Sequence, residues 1–126
     1  MPKFTLSFFS GICGISIVLL STMPIKIPLK EPLFFEVDKL GHSFAYFCFS
    51  MSLFLALIVD WKLKSPKKWT ILVSFGLGLL LEFTQGALLP YRSFELYDIL
   101  ANTIGIVLFI FLSKTIKKLL SNAVFL

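Results

Sequence analysis

Four apolar stretches of about 20 residues divide this chain almost from end to end. A helix rises about 1.5 Å per residue, so each stretch matches a hydrocarbon core ~30 Å thick. Backbone polar groups find no water in that core, and an isolated apolar run satisfies them by forming a helix. The runs cover about residues 4–23, 40–59, 70–89 and 95–112. Little of the 126 residues remains for anything else. The chain is therefore read as all-α: an integral membrane bundle of four transmembrane helices, one domain spanning 1–126. A hydrophobic content of 57% and a mean hydropathy of +0.91 agree, because a soluble domain of this length needs more charge to cover its surface.

The first run follows Lys3 and could mimic a signal peptide. It is long for one and lacks a small-residue cleavage site, so it is read as an uncleaved helix. Pro24, Pro28 and Pro32 disfavour helix in the residues before them, which predicts an extended loop over 24–37. Asp38 then caps the second helix. Asp60 to Trp69 form a polar turn with a tryptophan at each edge, at headgroup depth. Pro90 closes the third helix, Ser93 caps the fourth, and Glu95 lies in its first turn. The tail from Ser113 carries Lys114, Lys117 and Lys118 and reads as an amphipathic extension.

The basic residues set an orientation. Eleven of the twelve are lysines. Lys3, Lys62, Lys64, Lys67, Lys68, Lys114, Lys117 and Lys118 fall on one side of the membrane. Lys26, Lys30, Lys39 and Arg92 fall on the other. Eight against four predicts that both termini are cytoplasmic. The net charge of +5 is thus a headgroup-facing charge, and no basic stretch interleaved with aromatics suggests nucleic acid. Cys13 and Cys48 lie inside apolar runs and read as small buried side chains.

The polar residues inside the runs are more specific. Asp38 and His42 are four apart, Glu82 and Gln85 three apart, and Asp98 and Asn102 four apart, so each pair shares a helix stripe. All six, with Arg92, fall at the outer ends of their helices, and they are expected to converge on one pocket. Charged groups in a span cost at least about 2.5–3.5 kcal/mol and tend to mark function. The candidate catalytic residues are His42, Glu82 and Asp98. Glu82 or Asp98 would act as general acid or base, with His42, whose ordinary titration lies near neutral pH, as partner. Asp38, Gln85, Arg92 and Asn102 are the candidate substrate-binding residues. Arg92, the only arginine, suits bidentate docking of a phosphate or carboxylate. No nucleotide-binding loop or diagnostic metal-ligand spacing is present, and no metal or cofactor is expected. Gly76, Gly78, Gly86 and Gly105 read as sites of close helix packing.

Three ordered motifs carry a resemblance. Asp38-Lys39-Leu40-Gly41-His42 with Phe44-Ala45-Tyr46, Glu82-Phe83-Thr84-Gln85 with Pro90-Tyr91-Arg92-Ser93, and Asp98 to Gly105 resemble the motifs of the VanZ-like membrane proteins. In that family an Asp often precedes the glutamate, where Leu81 stands here. A second glycine often follows the first, where Phe109 stands. The first change removes one acid from the pocket, and the second predicts looser packing at the inner end of the fourth helix. The resemblance implies a multi-pass protein of the bacterial cytoplasmic membrane, linked to the cell envelope and to teicoplanin susceptibility.

Two readings of the cluster stay open at this point. It acts on or binds an anionic lipid-linked or headgroup substrate, or a glycopeptide. Alternatively it is a structural network in a non-enzymatic scaffold that binds lipid or antibiotic. Transport is the weakest reading, because the inner halves of the helices carry almost no charge. Membrane lipids are expected partners in every case.

Overall fold

The structure is a computed structural model that describes residues 3–23, 33–91 and 93–123. Four helices follow in order: α1 (Thr5–Thr22), α2 (Leu33–Val59), α3 (Pro66–Leu88) and α4 (Leu96–Asn122). All four are long and apolar enough to cross a membrane. Their outer surface is apolar, with Phe8, Leu40, Phe44, Leu80 and Phe111 at least 60% exposed. Such a surface is unfavourable in water and ordinary against lipid tails.

Four helix boundaries differ from those expected. α2 begins at Leu33, so Asp38 lies in its second turn and is no cap. Glu36 occupies the first turn, where the macrodipole favours an acid. The rest of the expected loop, 24–32, lies outside the described residues. α3 begins with Pro66, whose fixed φ and missing N–H suit a first helical position. α4 begins after Glu95, not Ser93, and runs on to Asn122. Its last turns persist because Ile116 and Leu120 pack on the cluster of Phe54, Ile58 and Phe109, while Lys114, Lys117 and Lys118 face outward. The expected loose packing at Phe109 is not found. That ring is fully buried, edge-on to Phe54 at 5.2 Å between centroids.

The helices alternate in direction. At one end Asp60 Oδ2 accepts hydrogen bonds from the Ser7 backbone N–H and hydroxyl, each at 2.7 Å. Trp61 Nε1 donates to the same Ser7 hydroxyl at 2.9 Å. The start of α1, the α2–α3 turn and the end of α4 therefore share one lysine-rich end. The other end carries Asp38, Glu82, Glu95 and Asp98. α2 is central and contacts all three other helices, most extensively α4.

α2 and α4 run parallel at close range. The Ser43 hydroxyl donates to the Ala101 carbonyl at 2.9 Å. A Cβ on Gly105 would collide with the Ser43 backbone oxygen and crowd the Phe47 backbone N at 3.0 Å. Small residues let helix backbones approach like this where lipid supplies no hydrophobic drive. In the middle of the bundle, buried Ser50 donates to Ser74 at 3.0 Å, joining α2 to α3. Gly76, expected at a packing contact, instead faces open space. Gly76→Ala should therefore stabilise α3, by up to ~1 kcal/mol, through helix propensity alone. A rise in the unfolding midpoint in detergent would show this, and a fall would place an unseen contact there.

Candidate functional site

The parallel register of α2 and α4 sets the site. Asp38 and His42 form one stripe on α2, and Asp98 and Asn102 form the matching stripe on α4. Because the two helices run the same way, the pairs meet side by side. His42 Nδ1 lies 3.1 Å from Asn102 Oδ1. With that oxygen as acceptor, Nδ1 carries the proton and Nε2 faces the carboxylates. Nε2 is 3.6 Å from Asp38 Oδ1 and 3.5 Å from Asp98 Oδ1. These distances are longer than hydrogen bonds, so the ring is anchored on one side and only approached on the other.

Lys39 is the centre of the cluster. Its Nζ lies 2.7 Å from Asp38, 2.6 Å from Glu95 and 2.5 Å from Asp98. The lysine side chain is only 14% exposed, and that of Asp98 8%. Three carboxylates around one ammonium satisfy its three donors with charge-assisted hydrogen bonds.

Glu82 joins from α3. It is 2% exposed, and its Oε1 accepts the backbone N–H of Glu95 at 2.6 Å. Glu95 is the N-cap of α4, and its side chain makes no capping bond there. Glu82 thus fixes the start of α4 from the neighbouring helix and brings Glu95 to Lys39. Because α3 starts at Pro66, Glu82 lies about 24 Å along it, nearer the acidic end than a start at Thr70 implies. Gly78, one turn earlier, leaves room for Asn102 and the buried ring of Tyr46. A Cβ there would meet Asn102 Nδ2 at 3.1 Å and the Tyr46 ring at 3.4 Å.

The structure brings Asp38, His42, Glu82, Asp98 and Asn102 to the same end of the bundle. Gln85 does not join their contacts. It is buried, but its Nε2 donates to the Ser21 carbonyl at 2.7 Å, tying α3 to the last turn of α1. Tyr91 makes a similar tie from its hydroxyl to the Thr22 carbonyl. Arg92 lies outside the described residues. Lys39 and Glu95 belong to the cluster as well, although the spacing argument does not include them. The sequence signal for Lys39 is a base set directly after Asp38 and three residues before His42.

Gln85→Leu should loosen α1 alone. A lone interhelical hydrogen bond in a membrane is worth ~0.6 kcal/mol, so the loss should be small. Faster labelling of Cys13 on α1, with Cys48 on α2 unchanged, would show it; both are free thiols. Equal acceleration at both would mean that the bond supports the whole bundle.

The chemistry on offer is acidic. Asp38, Glu82, Glu95 and Asp98 gather around one lysine and one histidine. Asp38, His42 and Asp98 present ligand atoms within 4.8 Å of one another, a spacing a cation could use, but Lys39 already supplies the cation there. Proton transfer by His42 beside Asp98, and hydrogen bonding to donors on a ligand, are what the groups do best.

The fold and the cluster define a multi-pass membrane protein with a polar, acid-rich site at one end of a four-helix bundle. The chain matches the profile of the VanZ/LLP1 family over residues 4–118 and belongs to that family. Comparison with curated proteins and with solved structures gave no match.

Proposed function

We propose that this protein lies in the bacterial cytoplasmic membrane with both termini in the cytoplasm. Its acidic end opens outward to take the polar head of a lipid-linked cell-envelope substrate. The lysine count at the opposite end supports the orientation. One observation carries the site: residues from three helices converge on a largely buried Lys39–Asp98 pair with His42 held beside it. Lys39 is surrounded by three carboxylates and has little left for an anion. An anionic group on the substrate therefore falls to Arg92, two residues after Pro90 and three before Glu95 in the chain. The carboxylates and His42 face hydroxyl and amine donors of the headgroup. In the enzymatic form, His42 Nε2 accepts a proton from the substrate and Asp98 stabilises the imidazolium. Family membership supports a link to glycopeptide susceptibility.

A second reading is favoured by a specific observation. Among the described residues no buried side-chain N or O lacks a partner, as a purely structural network requires. Cells making the chain, its Asp98→Asn variant or neither separate the two. Under the site reading, teicoplanin susceptibility changes with the wild type and returns to the empty-vector value with Asp98→Asn at equal membrane abundance. An unchanged response with a folded variant favours the network.

A further inference from the structure

A concavity of about 660 Å³ opens at the lysine-rich end, far from the acidic cluster. It lies between the start of α3 and the last turns of α4. Its floor is apolar, formed by Phe54, Ile71 and Leu72. Its rim holds Lys64, Lys67, Lys68, Lys114 and Lys117, and no acid is among the lining residues. Among the described residues none of these five ammonium groups is paired with a carboxylate. Five ammonium groups around one opening make it electropositive and favour an anion there.

Two further features point to the same ligand. Ser65 is the N-cap of α3 but makes no side-chain capping bond, and Pro66 follows it. The first-turn N–H groups therefore add the positive end of a helix dipole to the rim. Leu72 is 53% exposed, so the apolar floor continues toward the lipid-facing surface. An anionic head at the rim would place its acyl chain along that floor. Basic pockets between transmembrane helices recognise anionic lipid heads in this way.

We infer that the groove between α3 and α4 binds one anionic phospholipid, its phosphate held by the lysine rim and a chain lying on Ile71 and Leu72. The site is independent of the acidic cluster and of the function proposed for it. A free phosphate lacks the chain and would leave the floor empty.

The test uses the full chain in neutral detergent, titrated with phosphatidylglycerol, phosphatidylcholine or inorganic phosphate and read by native mass spectrometry. The wild type should retain one phosphatidylglycerol in preference to phosphatidylcholine, and phosphate should not compete at equal concentration. Lys67→Gln with Lys114→Gln should weaken retention by about tenfold or more. Lys62→Gln with Lys118→Gln removes the same charge from the same end but outside the groove, and should change it by less than about threefold. Equal losses in the two double variants would reduce the effect to general surface charge and overturn the site. So would equal retention of the two lipids, or competition by phosphate alone. The wild-type lipid comparison decides even if a variant fails to fold.

Discussion

Lys39→Met should be among the most damaging single substitutions in this protein. It removes the ammonium that, among the described residues, holds Asp38, Glu95 and Asp98 together, and leaves three carboxylates facing each other. Breaking a buried ion pair from one side typically costs ~3–5 kcal/mol, because the remaining charge has no partner. Lys39 is partly exposed, and water or relaxation of Glu95, the most exposed of the three acids, relieves some of this. Asp98 is the best buried of the three and is left with only the His42 ring, 3.5 Å away. Unfolding in mixed micelles against increasing dodecyl sulfate should show a loss near ~3 kcal/mol. Adding Asp98→Asn to the same chain should recover part of it, since one uncompensated charge disappears. A Lys39→Met protein within ~1 kcal/mol of wild type would mean that the cluster is solvated rather than buried.

Gly105→Ala should come next. The added methyl points into the Ser43 carbonyl and the Phe47 amide, and backbone cannot swing aside as a side chain can. α4 must move away from α2. Overpacking of this kind costs ~1–3 kcal/mol, here on the most extensive helix contact. Gly105 lies one turn from Asn102, so the same shift lengthens the His42–Asn102 contact. The variant should unfold earlier and also weaken function. Gly76→Ala, with the same change in composition and open space around it, is the control. Equal behaviour of the two alanines would show that the α2–α4 approach is not close.

These two positions also show what the sequence discloses. The four spans are legible because length and hydropathy alone select them in a bilayer. Gly105 is legible as a packing residue, but Gly76 looks the same in sequence and packs on nothing. Only the helix rotation separates them. The ends of α2 and α4 were harder. Asp38 and Lys39 resemble a helix cap and a loop charge, but α2 begins at Leu33 and takes both inside the helix. The lysines of 114–118 resemble a tail, although Ile116 and Leu120 supply the apolar face that keeps it helical.

The site was legible in the spacing of Asp38 with His42 and Asp98 with Asn102, because parallel helices preserve the register of two i,i+4 pairs. Glu82 and Gln85 share an i,i+3 stripe but separate. α3 sits at a junction, and three residues turn its face by about 60°, enough to aim Glu82 at α4 and Gln85 at α1. Stripe arguments hold against one neighbour and fail between two.

The cluster divides by task. Lys39 and Glu82 hold α2, α3 and α4 together, while His42, tied by one hydrogen bond to Asn102, is left to act. The most direct test is His42→Asn, whose side-chain amide reaches where Nδ1 stands and keeps a partner for Asn102. Thermal unfolding in detergent and teicoplanin susceptibility of cells with matched membrane levels are measured together. The unfolding midpoint should stay close to wild type, and the susceptibility change should be lost. A folded His42→Asn protein with the full wild-type response would contradict this division of tasks, and so would a variant that cannot fold while Lys39→Met can.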